Sequence, residues 1–318
     1  MKRSLALLTF AMLATLVALV PTASVGATPR PSTYDLLGNA VFPEGVAYQP
    51  STGNFFVSST TDGSILRGNV MEPAASLFIA GSDTPFSAIG VKVDDAGRLA
   101  VAGGFTGNVS VFDAATGAPI RTFTTGAGGF LNDIAVGKNG DLFVTDSFRQ
   151  VLWRIPADQI VTSATPGTAE AWLDLTGLIS YQAGEFNVNG IVATGNGKHL
   201  VVAQSFTSEL LRIDVATKAV TKIDLGGELV SGDGLALLGR TLYAAEPFSG
   251  PGRIAKVALS GDLSTGTVLS RTTDPSFQTP TTIAVASGRL LVVNSQFAQL
   301  FGGEEPSLPF TLSSIPIP

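Results

Sequence analysis

The sequence predicts an all-β fold: a six-bladed β-propeller whose ring is closed between its N- and C-terminal strands. Three observations carry that prediction. First, one unit recurs six times, with openings Glu44-Gly45-Val46-Ala47, Ser87-Ala88-Ile89-Gly90, Asn132-Asp133-Ile134-Ala135, Asn189-Gly190-Ile191-Val192, Asp233-Gly234-Leu235-Ala236 and Thr281-Thr282-Ile283-Ala284. Their spacing, roughly 45 residues with one wider gap, is that of a four-stranded propeller blade. Second, each opening is followed by another apolar run (FFVSST, RLAVAGG, DLFVTDS, HLVVAQS, TLYAAEP and RLLVVNS) bounded by turn residues, the pattern of short antiparallel strands. Third, 36 Gly and 18 Pro supply many tight turns while only 14% of residues are charged.

In chain order, Lys2 and Arg3 precede an apolar run from Leu5 to Val20, then Pro21 and small residues ending Val25-Gly26-Ala27. This order predicts a secretory signal peptide over residues 1–27, cleaved after Ala27, and a secreted or periplasmic mature protein. The alternative is an uncleaved membrane anchor, but the run is short for a spanning helix and a cleavage site follows; no later stretch is long enough, so no membrane attachment is expected after cleavage. Residues 28–318 then form one propeller domain, because a propeller divides its core between blades.

Blade one is expected from Phe42 to about Ala80, blade two from Phe86 to Thr124, and blade three from Leu131 to Leu175. Blade four runs from Val188 to Leu225 and blade five from Gly232 to Ser270. Asp-led stretches such as Asp113-Ala114-Ala115-Thr116-Gly117 and Asp214-Val215-Ala216-Thr217-Lys218 join third to fourth strands, and their Asp and Gly are turn chemistry. Asp94-Asp95 and Asn139-Gly140 play that part between first and second strands. Blade six needs both chain ends: Pro280 to Gln296 gives two strands, Pro309 to Ile315 a third, and Tyr34-Asp35-Leu36-Leu37-Gly38 the outer strand. That closure leaves no blade free to peel away. Two segments exceed the pattern, Pro156 to Gly167 within blade three and Ile179 to Asn187 before blade four. The second carries Tyr181 and Phe186 and lies at one mouth of the channel, either lining a site or packing as a solvent loop.

Composition excludes several functions. The chain has no Cys, which removes disulfide bracing, thiol catalysis and thiolate metal sites. A net charge of -6, with no basic cluster, argues against a nucleic-acid surface. The expected partner is a small-molecule substrate, and the expected state a monomer.

In a propeller the innermost strands surround the axis, so the six opening residues Glu44, Ser87, Asn132, Asn189, Asp233 and Thr281 should face one channel. Two carboxylates and two amides, Glu44, Asn132, Asn189 and Asp233, come from four blades. Hard oxygen donors with two negative charges suit Ca2+, another divalent cation also meeting the pattern, whereas Zn2+ would want His or Cys. The alternative is a column of water held by polar residues.

The series Pro-Glu-Gly at Glu44, Asn132-Asp133, Asn-Gly at Asn189 and Gly-Asp-Gly at Asp233 resembles the SMP-30/gluconolactonase family, with squid-type phosphotriesterase and the paraoxonases as related six-bladed calcium propellers. The resemblance covers the whole mature chain as an architecture, through short motifs. It implies that Glu44, Asn189 and Asp233 hold a catalytic divalent cation, with Asn132 a fourth ligand or a substrate-orienting group. It also implies that Asp233 is the general base or nucleophile. The implied activity is hydrolysis of lactones or related esters. The competing expectation is a non-enzymatic propeller that binds a small ligand or a protein.

This chain departs from paraoxonases and streptogramin lyases, which rely on His: its one His, His199, sits in a turn of blade four. It departs also from strictosidine synthase-like propellers, because Thr281 stands where a catalytic Glu is needed. The second-strand endings Asp146, Gln204, Glu246 and Asn294 form a second shell or substrate rim, or cap strands. Asp146 and Glu246, with Asn132 and Tyr181, are the expected substrate-contacting residues. Gly126-Ala127-Gly128-Gly129 lacks the Lys-Ser/Thr of a phosphate loop, and Asn108-Val109-Ser110 is a sequon without expected consequence for bacterial export, which the lack of Cys fits better than a small animal secreted domain. The 19 Phe are expected to pack between blades.

Overall fold

A computed structural model of the protein describes residues 30–82 and 84–318. The leader expected over residues 1–27 lies outside them. Blades one to five are each a four-stranded antiparallel meander. Blade one is Pro43–Gln49, Asn54–Ser59, Ile65–Asn69 and Ala74–Ile79; blade two is Val91–Val93, Arg98–Ala102, Asn108–Asp113 and Pro119–Thr124. Blade three is Leu131–Val136, Leu142–Asp146, Val151–Ile155 and Glu170–Asp174; blade four is Val188–Ala193, His199–Gln204, Glu209–Asp214 and Val220–Lys222. Blade five is Leu235–Leu238, Thr241–Glu246, Arg253–Leu259 and Gly266–Thr272.

Blade six joins the chain ends as expected. Pro280–Ala286, Arg289–Asn294 and Phe310–Pro316 form its inner three strands, and Thr33–Leu36 pairs antiparallel with Phe310–Pro316 in the register Tyr34↔Leu312. Thr33–Leu36 also pairs in parallel with blade one's outer strand, Asp35 opposite Ala74, so the closure ties two blades. Tyr34 locks it: its side chain is buried, its O–H donates to the Val70 carbonyl at 3.0 Å, and its ring meets Phe55 edge-on. The loop within blade three is likewise put to use. Its Gly167–Thr168 pairs in parallel with blade two's outer strand and covers that edge.

The core is segmented. Among the described residues the buried apolar side chains fall into six clusters, each between two neighbouring blades. Val46, Phe55 and Val57 of blade one meet Leu291, Val293 and Phe310 of blade six, for example, and Phe56 and Ile65 meet Val91 and Leu99 of blade two. Alternation along each strand explains this, since one face packs on the preceding blade and the other on the next. Phe55, Phe56, Phe123 and Phe310 sit in these seams, as expected of the Phe residues.

Candidate functional site

The site is built from a local defect repeated around the axis. In four blades the inner strand shifts register where the opening dipeptide falls: between Pro43 and Val46, Leu131 and Ile134, Val188 and Ile191, and Pro280 and Ile283. Each shift is a β-bulge that lifts two residues out of the ladder and re-aims their side chains. Glu44-Gly45, Asn132-Asp133, Asn189-Gly190 and Thr281-Thr282 occupy the bulges. The freed backbone groups find partners on the second strands: Gly45 N–H donates to Ser58 Oγ at 2.8 Å and Asp133 N–H to Thr145 Oγ1 at 3.0 Å. Those hydroxyls donate onward to the next blade, Ser58 to the Ile89 carbonyl at 2.5 Å and Thr145 to the Asn189 carbonyl at 2.7 Å.

Neighbouring bulges stitch the inner ring. Gly90 N–H donates to the Asn132 carbonyl and Gly234 N–H to the Thr281 carbonyl, both at 2.8 Å, and Thr281 Oγ1 donates to the Glu44 carbonyl at 3.1 Å. Close approach requires glycine here. A Cβ on Gly45 would strike the Ile89 carbonyl, and one on Gly190 the Asp233 carbonyl.

This ring corrects the opening read for blade two. Gly90 takes the place that Gly45, Gly190 and Gly234 hold in their blades, so the residue facing the axis is Ile89, not Ser87. Ser87 Oγ instead donates to the Thr84 carbonyl at 2.6 Å. The axial set is therefore Glu44, Ile89, Asn132, Asn189, Asp233 and Thr281.

Glu44, Asn132, Asn189 and Asp233 together line one cavity of about 270 Å3. Its floor gathers two carboxyls whose ionisation is disfavoured for want of a cation of their own. Burial, the Asp233 carboxylate and the Asp133 carboxylate push the Glu44 carboxyl well above its ordinary range, with Lys92 opposing. Burial first, and then Asp133, raise Asp233 to about 7, against hydrogen bonding from Asn189. Lys92 does not neutralise the pair, because its Nζ is engaged by Asp133 Oδ1 at 2.8 Å. Asp133 Oδ2 accepts from Ile191 N–H at 3.1 Å, so this buried pair anchors three blades beneath the site. Glu44 Oε2 is buried with no hydrogen-bond partner among the described residues. Asn132 commits its amide N–H to Ser147 Oγ at 3.0 Å, which leaves its carbonyl oxygen as the free end.

An orphaned buried carboxylate oxygen, a second carboxylate and two amides fit a hard divalent cation. Among the described residues no three His, Cys, Asp or Glu side chains gather into a metal cluster, so the fit rests on the amides as well as the acids.

The other expected contacts lie elsewhere. Asp146 is fully buried: Oδ1 accepts the N–H groups of Phe130, Phe148 and Arg149, and Oδ2 accepts from Arg149 Nε at 2.7 Å and Trp153 Nε1 at 3.1 Å. Glu246 accepts from Ser231 N–H at 3.1 Å and pairs with Arg253 at 2.6 Å. Both spend their charge fixing the loops that lead into their blades' inner strands, so neither is left to hold substrate. Tyr181 is also off the cavity surface, with its O–H donating to the Phe148 carbonyl at 2.8 Å. His199, expected in a turn, instead begins the second strand of blade four, where it pairs with Asp214 across the ladder with Nε2 3.6 Å from the Asp214 carboxylate; it does not line the cavity.

What the sequence reading missed is aromatic. Phe105, Phe148, Phe206, Phe248 and Phe297 stand two or three residues beyond the second-strand ends of blades two to six, and several of them reach the cavity mouth instead of packing between blades. Phe86, Phe130 and Phe186 enter from the loops before the inner strands. Phe105, Phe130, Phe148 and Phe186 stack on one another with ring centres 4.7–5.7 Å apart. The recurring Asp-Ser-Phe, Gln-Ser-Phe and Glu-Pro-Phe were the available signal.

No protein-family model matches the chain, and no curated protein matches it. Solved structures match over nearly its whole length. The Malassezia sympodialis allergen Mala s 1 is 15% identical with a TM-score of 0.66, covering 90% of this chain and 96% of its own. A gluconolactonase of Xanthomonas campestris is 16% identical, TM-score 0.63, covering 90% and 88%. The calcium-binding protein regucalcin of Agrobacterium tumefaciens is 14% identical, TM-score 0.60, covering 88% and 92%. This chain shares their propeller fold.

Proposed function

We propose that the protein is an exported, divalent-cation-dependent hydrolase of lactones or related esters, with Ca2+ the preferred ion. The observation that carries the reading is the buried Glu44 Oε2 without a partner, facing a cavity that it shares with Asp233, Asn132 and Asn189. The gluconolactonase and calcium-binding neighbours support it at the level of fold.

Glu44, Asn132, Asn189 and Asp233 would hold the ion. When bound, a divalent cation supplies Lewis-acid polarisation of a carbonyl. The chain's own groups do the rest. Asp233, half-buried at the edge of the floor, takes the proton from an attacking water at a carboxylate oxygen. The Asn132 carbonyl oxygen, aimed by the Ser147 hydroxyl, orients that water or the substrate. The aromatic wall keeps bulk water from the floor, which strengthens each electrostatic contact there.

The test is lactone hydrolysis by the mature protein with Ca2+, after chelation, and with Asp233→Asn. Turnover that needs Ca2+ and falls at least about a hundredfold in the variant supports the reading, general acid–base catalysis being worth about 10²–10⁴. Absence of turnover across the lactone panel with ion binding intact would make the protein a binding propeller. Export, read from Lys2, Arg3 and the apolar run to Val20, is tested by finding the chain outside the cytoplasm with Thr28 as its first residue.

A further inference from the structure

We infer that the cavity selects neutral, apolar lactones or esters over polyhydroxylated and anionic ones, and that Phe206 and Phe248 set that preference. The inference rests on the hydrolase reading for the word substrate, but its physical basis is the wall alone.

Three observations carry it. The first is charge: among the described residues the charged ones lining the cavity are Glu44, Asp233 and Glu185, all acidic, with no Lys or Arg. Away from the ion that the floor would hold, a ligand carboxylate or phosphate meets acids and no cationic side chain to pair with. The second is the wall. Above the floor its polar side chains are few, Ser205 and Ser231 with the mouth carboxylate of Glu185, while phenylalanines from several blades supply the rest. Each sugar hydroxyl brought against such a wall gives up water without a partner, which is unfavourable wherever a hydroxyl is desolvated. Ser205 Oγ is already committed, donating to the Gly232 carbonyl at 2.6 Å.

The third is exposure. Phe206 is 46% exposed, Phe301 63% and Phe248 66%, all on the rim of one cavity. Rings left bare around a single opening mark a surface that an apolar ligand covers. Across the mouth, Phe130 and Phe186 belong to the Phe105–Phe130–Phe148–Phe186 stack, which the Tyr181 hydroxyl also ties at the Phe148 carbonyl. Size agrees. A cavity of about 150 Å3 takes one benzene ring, so about 270 Å3 holds a lactone ring with a phenyl group or short alkyl chain beside it.

The experiment uses lactams, which bind like lactones but resist hydrolysis. Calorimetric titration of the Ca2+-loaded protein compares 5-phenyl-2-pyrrolidinone, the hydroxylated gluconolactam and the anionic pyroglutamate. The phenyl lactam should bind at least about tenfold tighter than either, a hydrophobic group of that size being worth tenfold or more in a fitted pocket. Phe206→Ala and Phe248→Ala should each weaken it by roughly three- to tenfold, the worth of one aromatic contact, and Phe→Leu should recover part. Ca2+ affinity and melting temperature should not move in these exposed-site variants. Equal or tighter binding of gluconolactam or pyroglutamate overturns the inference, as does unchanged phenyl lactam binding in both Ala variants or failure of all three lactams to bind. Tight phenyl lactam binding without turnover of the matching lactone would overturn the hydrolase and leave the selectivity standing. Turnover with no apolar preference would do the reverse.

Discussion

The Glu44–Asp233 pair makes the metal-free protein less stable as pH rises. In the unfolded chain Asp233 titrates near its ordinary 3.8; in the fold it titrates at about 7, chiefly because burial penalises the charge. A carboxyl raised on folding favours the fold fully below its unfolded value, and that favour is lost as pH climbs from about 4 through about 7. At about 1.4 kcal/mol per pH unit between the two values, Asp233 alone contributes on the order of 4 kcal/mol across the window. At roughly 2 °C per kcal/mol for a domain of this size, that is a fall of about 8 °C over the full span, of which about 5 °C lies between pH 5 and 8. Glu44, raised for the same reasons, adds to it in the same direction. The carboxyls held below their ordinary value, such as Asp62, Asp141 and Asp262, act in the opposite sense but only in more acid solution. The window from pH 5 to 8 therefore isolates the floor. The assay is thermal melting of chelated protein across that window, beside Asp233→Asn. The difference between the two profiles should close as pH falls, and saturating Ca2+ should flatten the wild-type decline. Parallel profiles for wild type and variant would refute the buried-carboxylate account.

Three further outcomes follow from the frame around the floor. Lys92→Met leaves the buried Asp133 carboxylate without its cation, and urea denaturation should show a loss of about 3–5 kcal/mol. Gly190→Ala forces a Cβ against the Asp233 carbonyl and should cost about 1–3 kcal/mol, with weaker Ca2+ binding because the ligand's own backbone is displaced. Tyr34→Ala removes the buried ring that locks the closing strand and should cost about 3–5 kcal/mol, read as a lower melting temperature; a change below about 1 kcal/mol would mean that the ring closure adds little.

The fold was legible because each blade repeats the same apolar alternation and turn chemistry, and because Tyr34-Asp35-Leu36-Leu37 resembles the outer strands of other blades. The four oxygen-bearing residues of the floor were legible as polar residues at matching places in that repeat. Blade two was misread by two residues, from Ile89 to Ser87. A slip of two keeps every side chain on its own face, so apolar alternation cannot detect it; the glycine that follows the axial residue, Gly90, carried the correct register. Asp146 and Glu246 looked like site acids because strand-end position alone does not show their partners: Arg149 curls back from the turn three residues on, and Arg253 meets Glu246 only when the third strand pairs with the second. The aromatic wall was hidden by a sound rule applied too widely. Phe is usually core, and Phe55, Phe56 and Phe123 are, but a Phe just past a second-strand end falls outside the blade seam and on the mouth.

The most direct test of the central claim is a calorimetric Ca2+ titration of chelator-stripped protein at pH 8, beside Asp233→Ala and Glu44→Gln. One ion per chain in the wild type, with binding abolished or weakened at least about a hundredfold in both variants, is the predicted result, since each removes one of only two charged oxygen ligands. Equal binding by all three proteins, or no binding by the wild type at millimolar Ca2+, would contradict it.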